Sequence, residues 1–372
     1  MIRIHSREAL QTVAEALRPD AGGAEASARR SGAVDWLGVS ALANDHYLGP
    51  ALHAALAQAG RLGELPDDLR AYLALLHDCN GARNRRLRGQ AETLVRAFDE
   101  AGVTPLLLKG GVALFAGDYP DAAARMIRDL DVMVPARRLN DALAALQALG
   151  YRAVSRYPQG HHAYGDFAQP GQPAAVDLHI EPIDAAYLLP ASALWRDAGA
   201  LGLPEGACLV PSPTHRLLHN LLHAQIHHRG NYYRGVIELR QLYDFTVLAR
   251  RHGPAIDWDF IDRHLTEHQL DTPLQSYVLA AGRLFDLPWP LPSAPGRAAR
   301  REAGRCLLQL RLPLLAMLGL PLANLWGAFA RYRMEGLYAE RGTLLDRRLH
   351  HAAQFLGKST LRGVVDRLFK VQ

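Results

Sequence analysis

Two aspartates two residues apart, Asp129 and Asp131, sit in the run RDLDVMV, and a third, Asp177, sits in the similar run VDLHIEP. Residues two apart on a strand point to the same side. Asp129 and Asp131 are therefore expected to project together while Leu130, Val132 and Val134 face a core. Carboxylates held this close repel one another, and one stays protonated unless a cation compensates. A hard divalent ion, Mg²⁺ or Mn²⁺, is the natural compensation, because it takes oxygen ligands from a few carboxylates plus substrate phosphates. In the second run Asp177, His179 and Glu181 share a side. If the two strands are neighbours, Asp177 completes a set of three acids. Such a set can hold two metals about 3.5–4 Å apart for nucleotidyl or phosphoryl transfer.

Upstream, a leucine run ends in Lys109-Gly110-Gly111, with seventeen residues between Gly111 and Asp129. Two glycines keep side chains off the backbone, so N–H groups at the start of the next helix can approach a triphosphate. Lys109 adds a point charge, and Arg125 and Arg128, just ahead of the acids, can neutralise phosphate as well. The stretch lacks both GxxxxGK[ST] and GxGxxG, which excludes a P-loop and a Rossmann fingerprint. Alone, a Gly-Gly is an ordinary turn and an Asp-x-Asp an ordinary solvated strand face. Their order, with a third acid, is what points to a site.

The elements that must position these residues follow from periodicity. TPLLL reads as a short buried strand, KGG as a turn, VALFAGDY as the start of a helix, and RDLDVMV as a half-buried strand. RRLNDALAALQALGY is an amphipathic helix and AAVDLHIEP another alternating strand, so 101–205 forms a compact unit of strands and helices. Residues 1–100 are mostly helical: one long pattern starts at Pro66-Asp67 and stops at Gly102, and 21–33 reads as a small, polar loop. After about 211 helices return, opening at a Ser or Thr cap, with a Pro- and Gly-rich linker at 287–296. These boundaries give four parts: 1–100, 101–205, 206–290 and 291–372.

His215, His219, His223 and His227 recur every four residues. That spacing keeps neighbours on one helix face, but the stripe drifts about 40° per step, so all four cannot share one ion. The expectation is that His223 and His227 line the cleft, with His215 and His219 on or near the surface and Asp244 placed to orient one histidine.

With 49% hydrophobic and 21% charged residues over 372 positions, the chain is a folded protein of more than one core. A net charge of +5 favours anionic partners. Basic residues are scattered without an aromatic-basic stripe, which argues against nucleic acid as the partner. Three dispersed cysteines and no CxxC pair exclude a disulfide framework and a thiolate zinc site, and a reducing cytoplasm fits them. The N-terminus has no apolar run of the secretory kind. Residues 312–330 are uncharged for 19 positions and flanked by Arg311, Arg331 and Arg333. A buried helical hairpin is the first reading, with an interfacial membrane contact and a span as alternatives. A basic segment, STLRGVVDRLFKVQ, follows at the end.

Leu108-Lys109-Gly110, Arg128-Asp129-Leu130-Asp131, Asp177-Leu178-His179 and the later Leu239-Arg240-Gln241-Leu242-Tyr243-Asp244 together resemble the uncharacterised bacterial nucleotidyltransferase family, within the superfamily that shares the fold of DNA polymerase β. The resemblance implies an α+β fold, a minimal nucleotidyltransferase core with a small mixed sheet, flanked by N- and C-terminal helical regions. It also implies that Asp129 and Asp131 bind the metals and that Asp177 is the third ligand and helps deprotonate the acceptor. Gly110 and Gly111 would hold the nucleotide phosphates. The expected activity is transfer of an NMP from an NTP to a hydroxyl or amine of a small molecule, peptide or protein. The alternatives are a DxD glycosyltransferase using a nucleotide sugar and a non-catalytic nucleotide-binding module.

Overall fold

The computed structural model describes residues 6–19, 34–158, 160–227, 231–338 and 340–357. The loop expected at 21–33 and the basic C-terminal segment lie outside the described residues. Helices α1 (Arg7–Ala16), α2 (Trp36–Asp45), α3 (Gly49–Gln58) and the long α4 (Asp67–Glu100) form the N-terminal part. Pro66 opens α4, and Gly102, at φ +68°, turns the chain away after its end.

An α+β core follows: β1 (Leu106–Leu107), α5 (Lys109–Ala113), β2 (Leu130–Met133), α6 (Leu139–Ala148), β3 (Arg152–Arg156), β4 (Ala163–Ala168), β5 (Val176–His179), α7 (Ala191–Arg196), β6 (Gly199–Leu203) and β7 (Gly206–Val210). The seven strands make one sheet in the order β3-β4-β5-β2-β1-β7-β6. β2 runs parallel to β5 and antiparallel to β1, and β1 runs parallel to β7. Because β7 returns to pair with β1, the boundary expected at 205 falls inside the β6–β7 hairpin.

Alternation along β2 divides two cores. Leu130, Val132 and Val134 pack with Val176 and Leu178 under α6 and the second half of α4. Met133 joins Leu106 and Leu108 in the other core, with α1–α3 and the C-terminal helices. Asp131 lies on that second side, two residues before Met133.

The C-terminal helices include α8 (Pro213–Leu222), which runs into a π-turn over His223–His227, then α9 (Asn231–Arg234), α10 (Leu239–His252), α11 (Trp258–Glu267) and α12 (Asp271–Phe285). Ser212 caps α8, its hydroxyl accepting from the His215 N–H. After the irregular linker come α13 (Arg297–Arg311), α14 (Pro313–Ala328), α15 (Arg331–Leu337) and α16 (Leu344–Gly357).

Two expectations need correction here. The helix expected from VALFAGDY ends at Ala113, and residues 117–129 are irregular. Side chains of α4 satisfy their carbonyls: Asn80 donates to those of Ala123 and Arg125, Asn84 to Ala122 and Arg125, and Arg83 to Ile127 and Arg128. Residues 312–330 do not form a buried hairpin. Pro313–Ala328 of this stretch form one helix with Pro321 inside it, and Leu318 (80% exposed), Leu322 (74%) and Trp326 (58%) face outward. Apolar side chains ring this helix on every side, so one packing contact cannot cover them all. Among the described residues no helix is long and apolar enough to cross a membrane.

Candidate active site

The sheet face carrying Asp131 and the helices α8 and α10 enclose a cavity of about 530 Å³. Lys109, Gly110, Arg125, Arg128, Asp129, Asp131, Asp177, His223, His227 and Asp244 all line it. Residues scattered over more than 130 positions of sequence thus share one wall or the other.

Its centre is the β2–β5 pair. Asp131 and Asp177 are register partners on these parallel strands, as are Met133 and His179. Asp131, only 3% exposed, accepts from Lys109 Nζ at 2.7 Å and from His179 Nε2 at 3.1 Å, both on Oδ1. The same His179 nitrogen lies 3.0 Å from Asp177 Oδ2. Burial works against charge on His179, but the bonds to the two carboxylates prevail and push its pKa up to about 9. Burial likewise disfavours the Asp131 carboxylate, and Lys109 with His179 more than reverses this, so Asp131 is held well below the usual carboxylate range. Asp129, just ahead of β2, behaves oppositely: burial and the neighbouring Asp131 raise it.

Lys109 has φ +43°, uncommon for a residue with a side chain and a conformation that costs about 1–3 kcal/mol. The strained backbone aims its ammonium at Asp131. Gly110 also has a packing role. A Cβ there would stand 2.7 Å from an Arg125 guanidinium nitrogen and 2.8 Å from Ile127 Cγ2. Gly111 is not part of the cavity lining, and a Cβ on it would meet only ordinary contacts, the nearest at 3.6 Å.

Arg125 is not open to solvent. It donates from Nε and a terminal nitrogen to both oxygens of Asp244 on α10, at 3.1 and 2.8 Å. Tyr119 also donates to Asp244. Asp244 therefore holds the segment before β2 rather than orienting a histidine. Arg128, by contrast, is exposed at the cavity edge.

The expectation for His215 and His219 is also corrected: both are buried, each 4% exposed, because α8 packs with the histidine stripe turned inward. His219 lines the cavity, and burial, with Lys109 and His179 nearby, keeps it neutral. The wider π-turn takes up the angular drift of an α-helix, so the His223 and His227 rings stack at 5.5 Å. His223 Nδ1 pairs with Gln241 Oε1 at 3.2 Å.

Three buried polar atoms on lining residues have no hydrogen-bond partner among the described residues: Asp177 Oδ1, His219 Nε2 and Asn220 Oδ1. Buried polar atoms are seldom left so, and an orphaned carboxylate oxygen beside two further acids suits an oxygen-seeking divalent cation. The residues present fit such an ion. Sequence reasoning passed over His219 as a cavity residue, Asn220, and the trio of buried Asp118 with half-buried Arg216 and His252, in which Arg216 and His252 both bond to Asp118. Inward-facing spacing on α8 was the available signal for the first two. Nothing local marks the trio, since Asp118 lies 98 residues from Arg216 and 134 from His252.

The model of one family, described as uncharacterised nucleotidyltransferase, matches residues 32–286. No curated protein and no solved structure matches the chain.

Proposed function

The chain belongs to the uncharacterised nucleotidyltransferase family, and from that premise we propose that it is a metal-dependent enzyme moving an NMP from an NTP to a hydroxyl or amine. The observation that carries this reading is the pairing of Asp131 with Asp177 across parallel strands, with Asp177 Oδ1 unpartnered at the cavity. Asp129, Asp131 and Asp177 would hold Mg²⁺ or Mn²⁺, which when bound supplies charge neutralisation at the phosphates and activation of the attacking oxygen.

The chain's own groups do the rest. Lys109 and His179 keep Asp131 ionised and fixed. The acceptor oxygen bonds to the α-phosphorus, the bond to the bridging oxygen breaks, and pyrophosphate leaves. The acceptor's proton passes to Asp177 Oδ1, while His179 steadies Oδ2. Arg128, Lys109 and Gly110 at the start of α5 face the triphosphate, and neutral His219 and Asn220 orient the acceptor. A small molecule, a peptide or an exposed protein side chain is the acceptor class.

A DxD glycosyltransferase would need a nucleotide-binding sheet ahead of the acids. Among the described residues only the two-residue β1 precedes them in that role. We place the protein in a reducing cytoplasm, in keeping with free thiols at Cys79, Cys208 and Cys306. The outward apolar side of α14 is the face for peripheral contact with an anionic lipid surface.

Calorimetry with each NTP, with and without Mg²⁺, tests the reading on wild type and the Asp129→Asn/Asp131→Asn double variant. Binding that requires both metal and acids supports it. Metal-independent binding points to a nucleotide-binding module, and absence of any binding removes the transferase reading.

A further inference from the structure

A second group of ligating side chains stands beside the same cavity, next to the acids' partner His179, whose ring lies 5.1 Å from that of His162. His161 and His162 lie just before β4, Asp184 lies in the loop after β5, and His227 closes the π-turn. One donor atom from each of His161, His162 and Asp184 can be chosen so that all lie within 4.8 Å of one another. His162 Nδ1 is 2.7 Å from Asp184 Oδ1, and His227 Nδ1 is 3.6 Å from Asp184 Oδ2. The rings crowd together, with centroids 4.2 Å apart for His161–His162 and 4.4 Å for His162–His227.

Imidazoles gather around one carboxylate for two reasons in proteins. One is to be held by it as protonated partners, and the other is to share a metal. Here one donor atom each from His161, His162 and Asp184, on two separate loops, converges within 4.8 Å, which favours the shared metal. Nitrogen-rich donor sets select borderline transition ions such as Zn²⁺, unlike the oxygen-only preference of Mg²⁺. Ligand atoms 2.0–2.1 Å from a tetrahedral zinc lie on the order of 3.3 Å from each other. Reaching that spacing asks for small side-chain rotations, and Asp184, 52% exposed, and the half-buried His161 have room for them.

We propose that His161, His162, Asp184 and His227 form a zinc-class site that ties the β3–β4 hairpin to the π-turn beside the cleft. The histidine repeat on α8 does not make this site. It contributes one member, and the others come from the loops that flank β4 and β5. The ion would fix the distance between these two walls of the cavity. This inference does not rest on the transferase reading, since neither the acids nor a nucleotide enters it.

The test is a Co²⁺ titration of the untagged full chain in excess Mg²⁺, followed by visible absorption, with Zn²⁺ competition. One equivalent with the intense spectrum of tetrahedral nitrogen ligation, displaced by Zn²⁺, is expected. His161→Ala, Asp184→Ala and His227→Ala, on three separate elements, should each weaken binding at least tenfold with unchanged circular dichroism. Asp129→Asn should leave it unchanged. A variant that fails to fold is set aside and the others decide. No binding, a weak spectrum of octahedral type, or binding that survives all three substitutions yet falls in Asp129→Asn would overturn the site.

Discussion

Arg125 grips both oxygens of Asp244 through two of its nitrogens, joining the segment that leads into the acid-bearing strand to a helix 119 residues further along the chain. Both side chains are largely out of water, at 12% and 8% exposure. Removing one member of such a pair leaves a buried charge with nothing to answer it, at a cost of about 3–5 kcal/mol. Asp244→Asn is therefore expected to lose about that much unfolding free energy in urea. Arg125→Lys keeps the charge but not the fork and should also be clearly destabilised. A change below about 1 kcal/mol in Asp244→Asn would mean that the pair behaves as a surface contact.

The two glycines at the start of α5 should respond differently. At Gly110 an added methyl collides with Arg125 and with the stiff branch of Ile127. Overpacking of this kind costs about 1–3 kcal/mol, and here it also pushes on the Arg125–Asp244 pair. Gly111→Ala meets nothing closer than 3.6 Å and should be within about 0.5 kcal/mol of wild type. Thermal denaturation of the two variants side by side checks this. Equal losses would show that backbone freedom, not space, sets the requirement for glycine.

The acid limb of stability should carry the mark of Asp118. Burial alone would raise its pKa, but Arg216 and His252 more than offset this and the folded value lies below the ordinary one. A depressed carboxylate contributes stability that is full above its unfolded pKa, near 3.9 for Asp, and that is lost as pH falls through the folded value. Asp118→Asn should thus be less stable than wild type at neutral pH, with the gap closing below about pH 4. A gap that stays constant down to pH 2 would remove Asp118 from the acid response.

The outward leucines of α14 bear on membrane contact. Leu318 and Leu322 have most of their surface in water, so replacing both with Glu should change folding stability by no more than about 0.5 kcal/mol each. The same double variant should abolish co-sedimentation with vesicles containing anionic lipid. If the wild-type chain stays in the supernatant with those vesicles, the face has another use.

Much of the site was legible because strands repeat every two residues. Asp129, Asp131 and Asp177 declared themselves by alternation, and the pairing of β2 with β5 then placed Asp131 beside Asp177. Long-range contacts left no such trace. The partners of Asp244, the fit of Gly110 against Arg125, and the carbonyls within 122–128 held by Asn80, Arg83 and Asn84 all depend on residues far away in sequence. The β6–β7 hairpin was missed because its first strand, GALGL, is glycine-rich and half in water, so apolar alternation is faint. Residues 312–330 misled in the other direction, since apolar composition does not say what covers it.

The packing of α1 has a consequence for how the protein is made. Arg18, just past that helix, donates to the carbonyls of Leu284 and Arg283 at 3.0 Å each, 266 and 265 residues downstream. At translation speeds of about 5–20 residues per second, that partner leaves the ribosome on the order of tens of seconds later. Until then Leu10, Val13 and Leu17, all buried in the finished protein, lack the helix that completes their cover. The three acids emerge well before that moment, but the enclosure around them waits for the far end of the fold. A nascent chain of this protein would spend that interval as a client for chaperones.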